Sequence, residues 1–447
     1  MQLCARLRKE EAMKRIFNLL KKQSPSRIIA LGFGVVILTG AMLLMMPFSL
    51  KEGVKLSFLN ALFTSTSAVC VTGLVVVDTA DSFTAIGQMV VAALIQIGGL
   101  GIASVGVGLI IAAGKRVSIK SRLMVKEALN VDTYGGMVRL VRVVLAITIG
   151  FEAVGAIVSF FVFRKDYAPL RAVGISIFHS IAAFNNAGFD NLGGMHNLIP
   201  YKDNMLLNIT TDILVIAGGL GFLVLVDIVK QKRFKKLCLH SKVAISMTAV
   251  LLFGGMFVLK ATEKNITWMG AFFQSMTTRT AGFSTYDIGS FSKAGLFAMC
   301  VLMFIGASPG STGGGVKTTT VFVMVQALKC LGKKKSAHAF RRSISDENIS
   351  KAFMITVLYV GILCVATFLI CIFEPEYDFI QLIFEVTSAF STAGLSTGIT
   401  PELGIAARIL IILLMFTGRV GAFTLLSVWS KDTTPNARYS EEMISIG

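Results

Sequence analysis

The amino-acid sequence predicts an all-α polytopic membrane protein that consists of four covalently linked repeats. Three observations predict this fold class: a shortage of charge, eight apolar runs of membrane-spanning length, and a glycine motif that occurs four times. Of the 447 residues, 54% are hydrophobic and 15% are charged, whereas globular chains carry roughly 25% charged residues. Together with a mean hydropathy of +0.74, this composition indicates that much of the surface faces lipid.

The apolar runs set the predicted membrane spans. A helix needs ~20 mostly apolar residues to cross the hydrocarbon layer. The runs that reach this length are approximately Ile28–Met46, Phe83–Ala113, Val143–Val162, Asn204–Val226, Val243–Leu259, Ala294–Leu328, Ala352–Phe373 and Ile409–Val428. A glycine-rich stretch breaks the sixth run, and three others each contain one ionisable residue: Glu152, Asp212 and Arg419. We interpret Glu152 and Asp212 as structural groups, with a proton- or sodium-coupling path as the alternative.

The basic residues predict the orientation. Of the 43 lysines and arginines, 30 fall in residues 1–27, in three loops (115–142, 230–242, 329–351) and in the C-terminal tail. By the positive-inside rule, these segments and both termini are cytoplasmic, and the protein lies in the cell membrane. Residues 1–27 lack the order of a signal peptide and predict a basic cytoplasmic helix. The cluster Lys333–Lys335 with Arg341 and Arg342 is interpreted as an inside-positive anchor, with docking of a cytosolic regulator as the alternative.

Several functional classes are disfavoured. The net charge of +18 occurs without a nucleic-acid-binding motif, so we expect no nucleic-acid partner. The seven cysteines and four histidines have no metal-ligand spacing, which predicts neither a zinc site nor a covalent cofactor. A polytopic membrane enzyme would need clustered catalytic acids or histidines, whereas the intramembrane acids are isolated. An inverted-repeat transporter is disfavoured because the four repeats run in parallel.

The repeats are marked by two glycine motifs in register. Each outer loop carries an apolar segment of about 12 residues, too short to span a bilayer, that ends in one glycine with a phenylalanine ten residues before it. These segments end in SAVCVTGL (67–74), AAFNNAGF (182–189), MTTRTAGF (276–283) and SAFSTAGL (388–395). A second motif follows 24 to 30 residues later: GGLG (98–101), GGLG (218–221), GASPGSTGGG (306–315) and GRVG (418–421).

Such self-similarity predicts an array in which each repeat contains an outer helix, a pore helix and an inner helix (M1–pore helix–M2). The predicted divisions are a basic N-terminal helix (1–27), repeats at 28–114, 115–230, 231–335 and 336–430, and a tail (431–447).

Four glycine-bearing loops predict a pseudo-fourfold ion pore like that of potassium channels. Non-helical backbone at membrane depth is tolerated only where it is buried in protein or lines a water-filled cavity. A ring of inward carbonyls can replace the water shell of a monovalent cation, and the pore helices direct their negative C-terminal ends at the same point. We therefore expect a cation site.

These motifs resemble the Trk/Ktr/HKT superfamily of potassium transporters, and most closely the Ktr membrane subunit, over nearly the whole chain. The residues that carry the resemblance are GLVVVDTADSF after residue 72, QIGGLG (96–101), IAAFNNAGF (181–189), RTAGF (279–283) and PEL (401–403). The resemblance implies potassium uptake through an ion-conducting subunit, with K⁺ bound at Gly73, Gly188, Gly282 and Gly394.

The resemblance also assigns the filter strands. They comprise Val71, Thr72, Gly73, Asn186, Ala187, Gly188, Thr280, Ala281, Gly282, Thr392, Ala393 and Gly394. These strands hold fewer glycines than the TVGYG loop of simple channels, which predicts looser selectivity; a Trk-type subunit that moves both sodium and potassium is the alternative. Arg279 and Glu385 are expected to support the filter from behind, with Glu385 as the candidate partner of Arg279; for Arg279, a charge in the permeation path is the alternative.

A gate is expected beneath the filter. Each glycine costs a helix roughly 1 kcal/mol and proline ~3 kcal/mol, so the third inner helix should be interrupted. The resemblance makes this segment the gate: Gly306, Ala307, Ser308, Pro309, Gly310, Ser311, Thr312, Gly313, Gly314 and Gly315, together with Arg419. An arginine at membrane depth costs at least ~2.5 kcal/mol, so Arg419 should raise the barrier for a cation or latch the loop carbonyls. The segment is not a phosphate loop, because Val316 separates Gly315 from Lys317.

For the second-motif glycines Gly98, Gly99, Gly101, Gly218, Gly219 and Gly221, we favour helix packing over a role in the pore. The resemblance further implies a homodimer with one pore per protomer in the lipid bilayer, seated on a cytosolic ring of nucleotide-binding regulatory subunits (RCK/KTN type). It also implies sodium dependence, and dimer contacts from residues 438–447.

Overall fold

The computed structural model describes residues 24–114, 116–128, 136–331 and 337–421. The predicted N-terminal helix up to residue 23 and the tail after residue 421 lie outside these ranges. The described chain is mostly helical, as predicted, and its strands form one two-stranded hairpin, β1 (His338–Ala339) with β2 (Arg342–Ser343).

The helices are, in chain order, α1 (Pro25–Leu44), α2 (Phe58–Cys70), α3 (Thr79–Ser82), α4 (Ala85–Leu100), α5 (Ile102–Ala112), α6 (Ile119–Ala128), α7 (Met137–Phe163), α8 (Pro169–Phe184), α9 (Met205–Leu220), α10 (Phe222–Gln231), α11 (Leu239–Thr262), α12 (Trp268–Thr277), α13 (Lys293–Phe304), α14 (Thr318–Leu331), α15 (Asp346–Phe373), α16 (Phe379–Ser391) and α17 (Ile405–Val420). Short 3₁₀ helices occupy Ile199–Tyr201, Phe234–Lys236, Ile288–Ser290 and Thr400–Glu402.

Four described helices are each long and apolar enough to cross a membrane: α1, α7, α11 and α15. The predicted spans Phe83–Ala113 and Asn204–Val226 are wrong as continuous helices. The pairs α4/α5 and α9/α10 bend by 102° and 99° at Gly101 (φ 79°) and Gly221 (φ 96°). Backbone in that region cannot continue a right-handed helix, and glycine adopts it at little steric cost.

The predicted interruption of the sixth span is confirmed. Helix α13 ends at Phe304, α14 begins at Thr318, and the connecting segment contains residues 306–315. The eighth predicted span, Ile409–Val428, starts earlier than expected, because α17 begins at Ile405.

Each long helix is followed by a short helix, and the residues at the start of each short helix are of types that favour helix initiation. Ser57 and Thr267 cap α2 and α12 with side-chain oxygens that accept from backbone N–H groups three residues on. Asp378 and Gln381 form a capping box at α16, and Pro169 occupies the first turn of α8. These residue types are those preferred at helix N-termini.

The chain after each short helix contains one residue in the same strained conformation. The residue two positions before each motif glycine has a positive φ: Val71 (56°), Asn186 (57°), Thr280 (69°) and Thr392 (51°). For β-branched residues this conformation is an outlier that costs of order 1–3 kcal/mol. Because it occurs at every one of these helix ends, the surrounding packing must hold the backbone in place.

Each long helix and the short helix after it form a unit: α1 with α2, α7 with α8, α11 with α12, and α15 with α16. A glycine–serine contact joins the two helices in the first three units. Ser65, Ser180 and Ser275 donate their hydroxyls to carbonyls of Ile37, Glu152 and Leu252, each at 2.7 Å. Three residues after each of these acceptors stands a glycine on which a methyl group would overlap the same hydroxyl: Gly40, Gly155 and Gly255. Each serine stands two residues after a buried phenylalanine, Phe63, Phe178 or Phe273, so the contact recurs in register with that residue; it was not foreseen from the sequence. Val386 stands at the corresponding position of the fourth unit.

The phenylalanine ten residues before each motif glycine is part of the core in three units. Phe63 and Phe384 are fully buried and Phe178 is 4% exposed. In the third unit, Phe272 is only half-buried, and its neighbour Phe273 is fully buried instead. The spacing therefore marks the packed face of the short helix to within one residue.

Gly255→Ala should destabilise the protein, whereas the adjacent Gly254→Ala should not. A methyl group on Gly255 would overlap the Ser275 hydroxyl and lie 2.8 Å from Leu302 Cδ1, while nothing lies within 4 Å of one on Gly254. Overpacking of this kind costs typically about 1–3 kcal/mol. Thermal unfolding of the two purified variants measures the difference, and equal melting temperatures would contradict the contact.

Candidate functional site

The four motif glycines, distant in sequence, form a closed ring. A methyl group on Gly73 would lie 3.2 Å from the Cα of Gly188, and one on Gly188 would lie 2.6 Å from the Cα of Gly282. One on Gly282 would lie 3.3 Å from the Cα of Gly394, and one on Gly394 would lie 3.0 Å from the Cα of Gly73. The φ angles of these residues run from 65° to 97°. Glycine is therefore required twice, by the backbone angle and by the contact with the next segment.

The residues that flank the ring glycines are buried. Val71, Thr72, Asn186, Ala187, Thr280, Ala281, Thr392 and Ala393 all have zero exposure. The hydroxyls of Thr72, Thr280 and Thr392 have no hydrogen-bond partner among the described residues. Buried polar atoms are normally paired, so these three unpaired oxygens are available to coordinate a cation.

Helix electrostatics at the ring favour a cation. The short helices α2, α8, α12 and α16 end three to five residues before Gly73, Gly188, Gly282 and Gly394 respectively. Each C-terminus carries a partial negative charge from carbonyls that lack intrahelical partners. Four such ends directed at one point make the ring an unfavourable place for an anion.

The second-motif glycines let the neighbouring helices approach the ends of the short helices. A methyl group on Gly98, Gly218 or Gly418 would overlap the carbonyl oxygen of Val69, Phe184 or Phe390, each four residues before a ring glycine. The expected packing role of Gly98 and Gly218 agrees with these contacts. Gly99 packs equally closely, against the side chain of Asn185.

The segment 306–315 folds back on itself between α13 and α14. Gly306 N–H donates to Val316 O at 3.0 Å, and Ala307 N–H donates to Gly314 O at 3.3 Å. The hydroxyls of Ser308 and Thr318 lie 3.0 Å apart. The loop therefore satisfies part of its own backbone, as non-helical chain inside a membrane must.

The loop is also pinned to the break between α9 and α10. Ser308 N–H donates to Gly219 O at 3.0 Å and Thr312 N–H to Gly218 O at 3.3 Å, while Phe222 N–H donates to Gly310 O at 3.0 Å. The carbonyls freed by the bend at Gly221 thus become acceptors for the loop. This gives Gly218 and Gly219 a second role that the sequence analysis missed.

One side of the loop lies against the predicted filter strands. Methyl groups on Gly313 and Gly314 would overlap the hydroxyls of Thr280 and Thr392. Thr312 Oγ1 lies 3.1 Å from the side-chain amide of Asn186. Strands from three of the four units therefore rest directly on the loop.

Two cations hold the loop carbonyls. Arg419 donates from Nη1 to Thr312 O and from Nη2 to Gly98 O and Gly99 O. Lys317 Nζ donates to Gly313 O at 2.7 Å and to Gly314 O at 3.3 Å. Both ion pairs found among the described residues involve other side chains. The two charges are thus solvated by loop carbonyls, and Arg419 ties the loop to the end of α4.

Lys317 is a residue of the site that sequence reasoning missed. It entered the sequence analysis only as evidence against a phosphate loop. The available signal was a lysine at membrane depth two residues after the last loop glycine, which is a functional position by default.

A cavity of about 660 Å³ lies on the other side of the loop. Its lining includes Pro309, Gly310, Lys317 and Arg419, and it contains none of the filter residues. The loop therefore separates the glycine ring from this cavity.

The expected pairing of Arg279 with Glu385 is wrong. Glu385 is fully buried, and its carboxylate accepts from Ser396 Oγ at 2.7 Å, from Thr397 N–H at 2.8 Å and from Thr400 Oγ1 at 2.5 Å. It therefore holds the segment that follows Gly394. Arg279 is 6% exposed and borders a small cavity between α9, α11 and α12, behind the filter strand.

The two intramembrane acids, Glu152 and Asp212, have different surroundings. Glu152 accepts from the side chain of Asn185 at 3.0 Å, and the same amide reaches Gln96 at 2.8 Å. Glu152 thus braces the residue that precedes the second filter strand. Asp212 is 7% exposed, and its Oδ1 has no partner among the described residues.

The loops on the opposite side of the ring are acidic. Asp78 and Asp81 accept from backbone N–H groups of Met195 and Gly194 at 2.7 and 3.0 Å. Burial, with a smaller contribution from the negative charges of Asp78 and Asp81, raises the pKa of Asp190 to about 6. These acids contribute negative potential on the approach to Gly188.

Comparison with known proteins supports a single family. The TrkH family, described as a cation transport protein, matches residues 19–441. The chain is 39% identical to the potassium/sodium uptake protein NtpJ of Enterococcus hirae, over 96% of this chain and 98% of the relative. It is 38% identical to the Ktr system potassium uptake protein B of Bacillus subtilis, over 95% and 97%. The crystal structure of the potassium transporter TrkH from Vibrio parahaemolyticus shares the fold, with a TM-score of 0.73 and 18% identity over 92% of this chain and 86% of that chain.

Proposed function

The chain belongs to the TrkH family of cation transport proteins, and we propose that it is the ion-conducting subunit of a Ktr-type potassium uptake system. Family membership makes it a membrane protein and a transporter rather than an enzyme, as predicted. In the proposal, K⁺ is the transported ion, and no covalent cofactor takes part. The observation that carries it is the ring of four glycines at the ends of four short helices.

The proposed architecture is four M1–pore helix–M2 repeats around one pseudo-fourfold pore. The order of a long helix, a short helix and an interrupted third helix supports it, as do the recurring glycine–serine contacts and the common backbone conformation before each ring glycine. The repeats take the divisions 28–114, 115–230, 231–335 and 336–430. Single repeats would leave their pore helix ends unpartnered, so the four act together.

The proposed path begins at the acidic loops and passes the ring, where backbone carbonyls and threonine hydroxyls replace water around K⁺. It then meets residues 306–315, which act as the gate. The gate is held by Arg419 and Lys317, whose positive charges oppose an approaching cation and whose hydrogen bonds keep the loop beneath the filter. Flux requires that the loop and these two side chains move.

A looser selectivity is the alternative for the same site. One relative is named a potassium/sodium uptake protein, and each filter strand here contains a single glycine. The side chains before the glycines differ among Val71, Asn186, Thr280 and Thr392. A sodium-dependent or sodium-conducting variant of the mechanism is therefore kept as the second candidate.

The assembly is part of the proposal. Relatives named as proteins of a Ktr system support a partner subunit. We take this partner to be a cytosolic, nucleotide-binding regulatory ring, with the chain itself forming a homodimer in the cell membrane. Both termini are taken as cytoplasmic from the distribution of basic residues.

The function is tested by K⁺ and Na⁺ uptake into cells that lack their own potassium systems, using wild type and Gly282→Asp. The aspartate cannot adopt the glycine φ angle of 80° without strain, and its Cβ would press on the neighbouring segments. We expect wild type to restore growth at low potassium and the variant to lose uptake while still reaching the membrane. Normal potassium uptake by the variant would refute the filter assignment.

Arg419→Ala should increase ion flux. The substitution removes a fixed charge and the hydrogen bonds to Thr312 O, Gly98 O and Gly99 O. A barrier lowered by ~1.4 kcal/mol corresponds to roughly a tenfold rise in rate, and we expect a change of that order in the rate of ⁸⁶Rb⁺ entry into vesicles. Thr417→Ala is the control, because within the described ranges the Thr417 hydroxyl bonds only to its own helix, at Leu413 O. Equal flux in wild type and Arg419→Ala would exclude the latch.

A further inference from the structure

A basic cleft of about 520 Å³ lies at the start of the long helix α11, away from the ion path. Its charged lining consists of Lys235, Lys236, Lys242 and Arg342. Helix α11 has membrane-spanning length and begins at Leu239. The cleft therefore lies at the level of the membrane where lipid headgroups are found.

The cations of the cleft form no ion pair within the part of the chain that the structure describes. Both ion pairs within that part involve other residues. The neighbouring acid, Asp227, is engaged by the backbone N–H of Cys238 at 3.0 Å. Lys242 donates to Lys235 O at 2.9 Å, which fixes one wall. Four positive charges in one concave surface form a site for an anion.

The hairpin that supplies Arg342 is held in a strained turn. Between β1 and β2, Phe340 and Arg341 both have positive φ angles, 47° and 64°. Two-residue turns of this kind normally use Asn or Gly. Phe340 lines the cleft, and its ring lies 6.2 Å from that of Phe234. A strained backbone conformation persists only where the surrounding structure enforces it, and such conformations are common at ligand-binding sites.

A second cavity of about 500 Å³ continues from the basic cleft. The two share Leu239 and Ser343 in their linings. The second has a mixed lining: Val243, Phe322, Val323 and Ile355 are apolar, whereas His240, Asn348 and Lys351 are polar or charged, and it reaches Pro309 of the loop. The basic cleft thus borders a cavity of mixed polarity that runs into the protein.

We propose that the two cavities together bind one anionic phospholipid. Its phosphate headgroup would occupy the basic cleft, and one acyl chain would lie in the second cavity and extend toward Pro309. Clusters of lysine and arginine next to the cytoplasmic end of a membrane helix are typical of anionic-lipid recognition. A free anion would use the first cavity alone, whereas the acyl chain of a phospholipid would also meet the apolar side chains of the second, such as Phe322 and Val323.

The headgroup is tested by native mass spectrometry of the full-length protein with phosphatidylglycerol or phosphatidylcholine. Wild type should retain phosphatidylglycerol and lose phosphatidylcholine. The combined variant Lys235→Gln, Lys236→Gln, Arg342→Gln should bind phosphatidylglycerol roughly tenfold more weakly, that is by ~1.4 kcal/mol. The control Lys51→Gln, Lys55→Gln, Lys202→Gln removes the same charge from exposed loops elsewhere and should bind as wild type does. Equal weakening in both variants would overturn the site.

The acyl chain is tested by Val323→Trp, which fills the second cavity and keeps every cation. It should lower phosphatidylglycerol retention, with thermal unfolding used to verify that the variant is folded. Inorganic phosphate at the same concentration should not displace the lipid. Displacement by phosphate, or full retention in folded Val323→Trp, would identify a free-anion site and refute the lipid. Because lipid binding is measured without transport, this result is independent of the uptake experiments.

Discussion

The close approach of four glycines, which leaves no room for a Cβ on any of them, is the constraint on which the rest of the structure depends. Gly73, Gly188, Gly282 and Gly394 can come this close only if four helices end near one point and the chain turns sharply there. Inside a membrane such turns leave carbonyls unpaired, which is tolerated only where the backbone is buried in protein or lines a water-filled cavity. The proposed ion path therefore depends on this ring.

The surrounding packing serves to hold those helix ends. Ser65, Ser180 and Ser275 anchor three of the short helices to long ones. Glycines at 98, 218 and 418 let the next helix approach their last turns. In the fourth unit, where valine replaces the serine, Glu385 holds the segment after the ring through four hydroxyl and amide donors. The units share a plan but differ in how each is braced.

The position of the loop 306–315 also depends on backbone carbonyls that lack partners within their own helices. The bends at Gly101 and Gly221 free carbonyls that a straight helix would use. Those near Gly221 accept from the loop, and those at Gly98 and Gly99 accept from Arg419. Arg419 and Lys317 each find carbonyl oxygens instead of carboxylates. A loop held by hydrogen bonds to its neighbours can release them one at a time, which suits the proposed gate.

Much of the site was predictable because it depends on residue types with sharp local consequences. The ring glycines, the interruption at 306–315 and the position of Arg419 follow from spacing and from the cost of glycine, proline and charge in a membrane helix. The bends at Gly101 and Gly221 were not predicted, because an isolated glycine in an apolar run fits a straight helix equally well. The pairing of Arg279 with Glu385 failed because partner choice depends on helix rotation, which spacing does not determine. Lys317 was overlooked because its role depends on how the loop folds.

The central claim is that all four strands form one cation site, and the most direct measurement is the K⁺/Na⁺ permeability ratio of four single variants in vesicles. These are Gly73→Ser, Gly188→Ser, Gly282→Ser and Gly394→Ser, with Gly106→Ser as a control where nothing lies within 4 Å of the added Cβ. The account predicts that each of the four lowers the ratio and that the control leaves it unchanged. A ratio that falls in only one or two of them would contradict a site shared by four repeats.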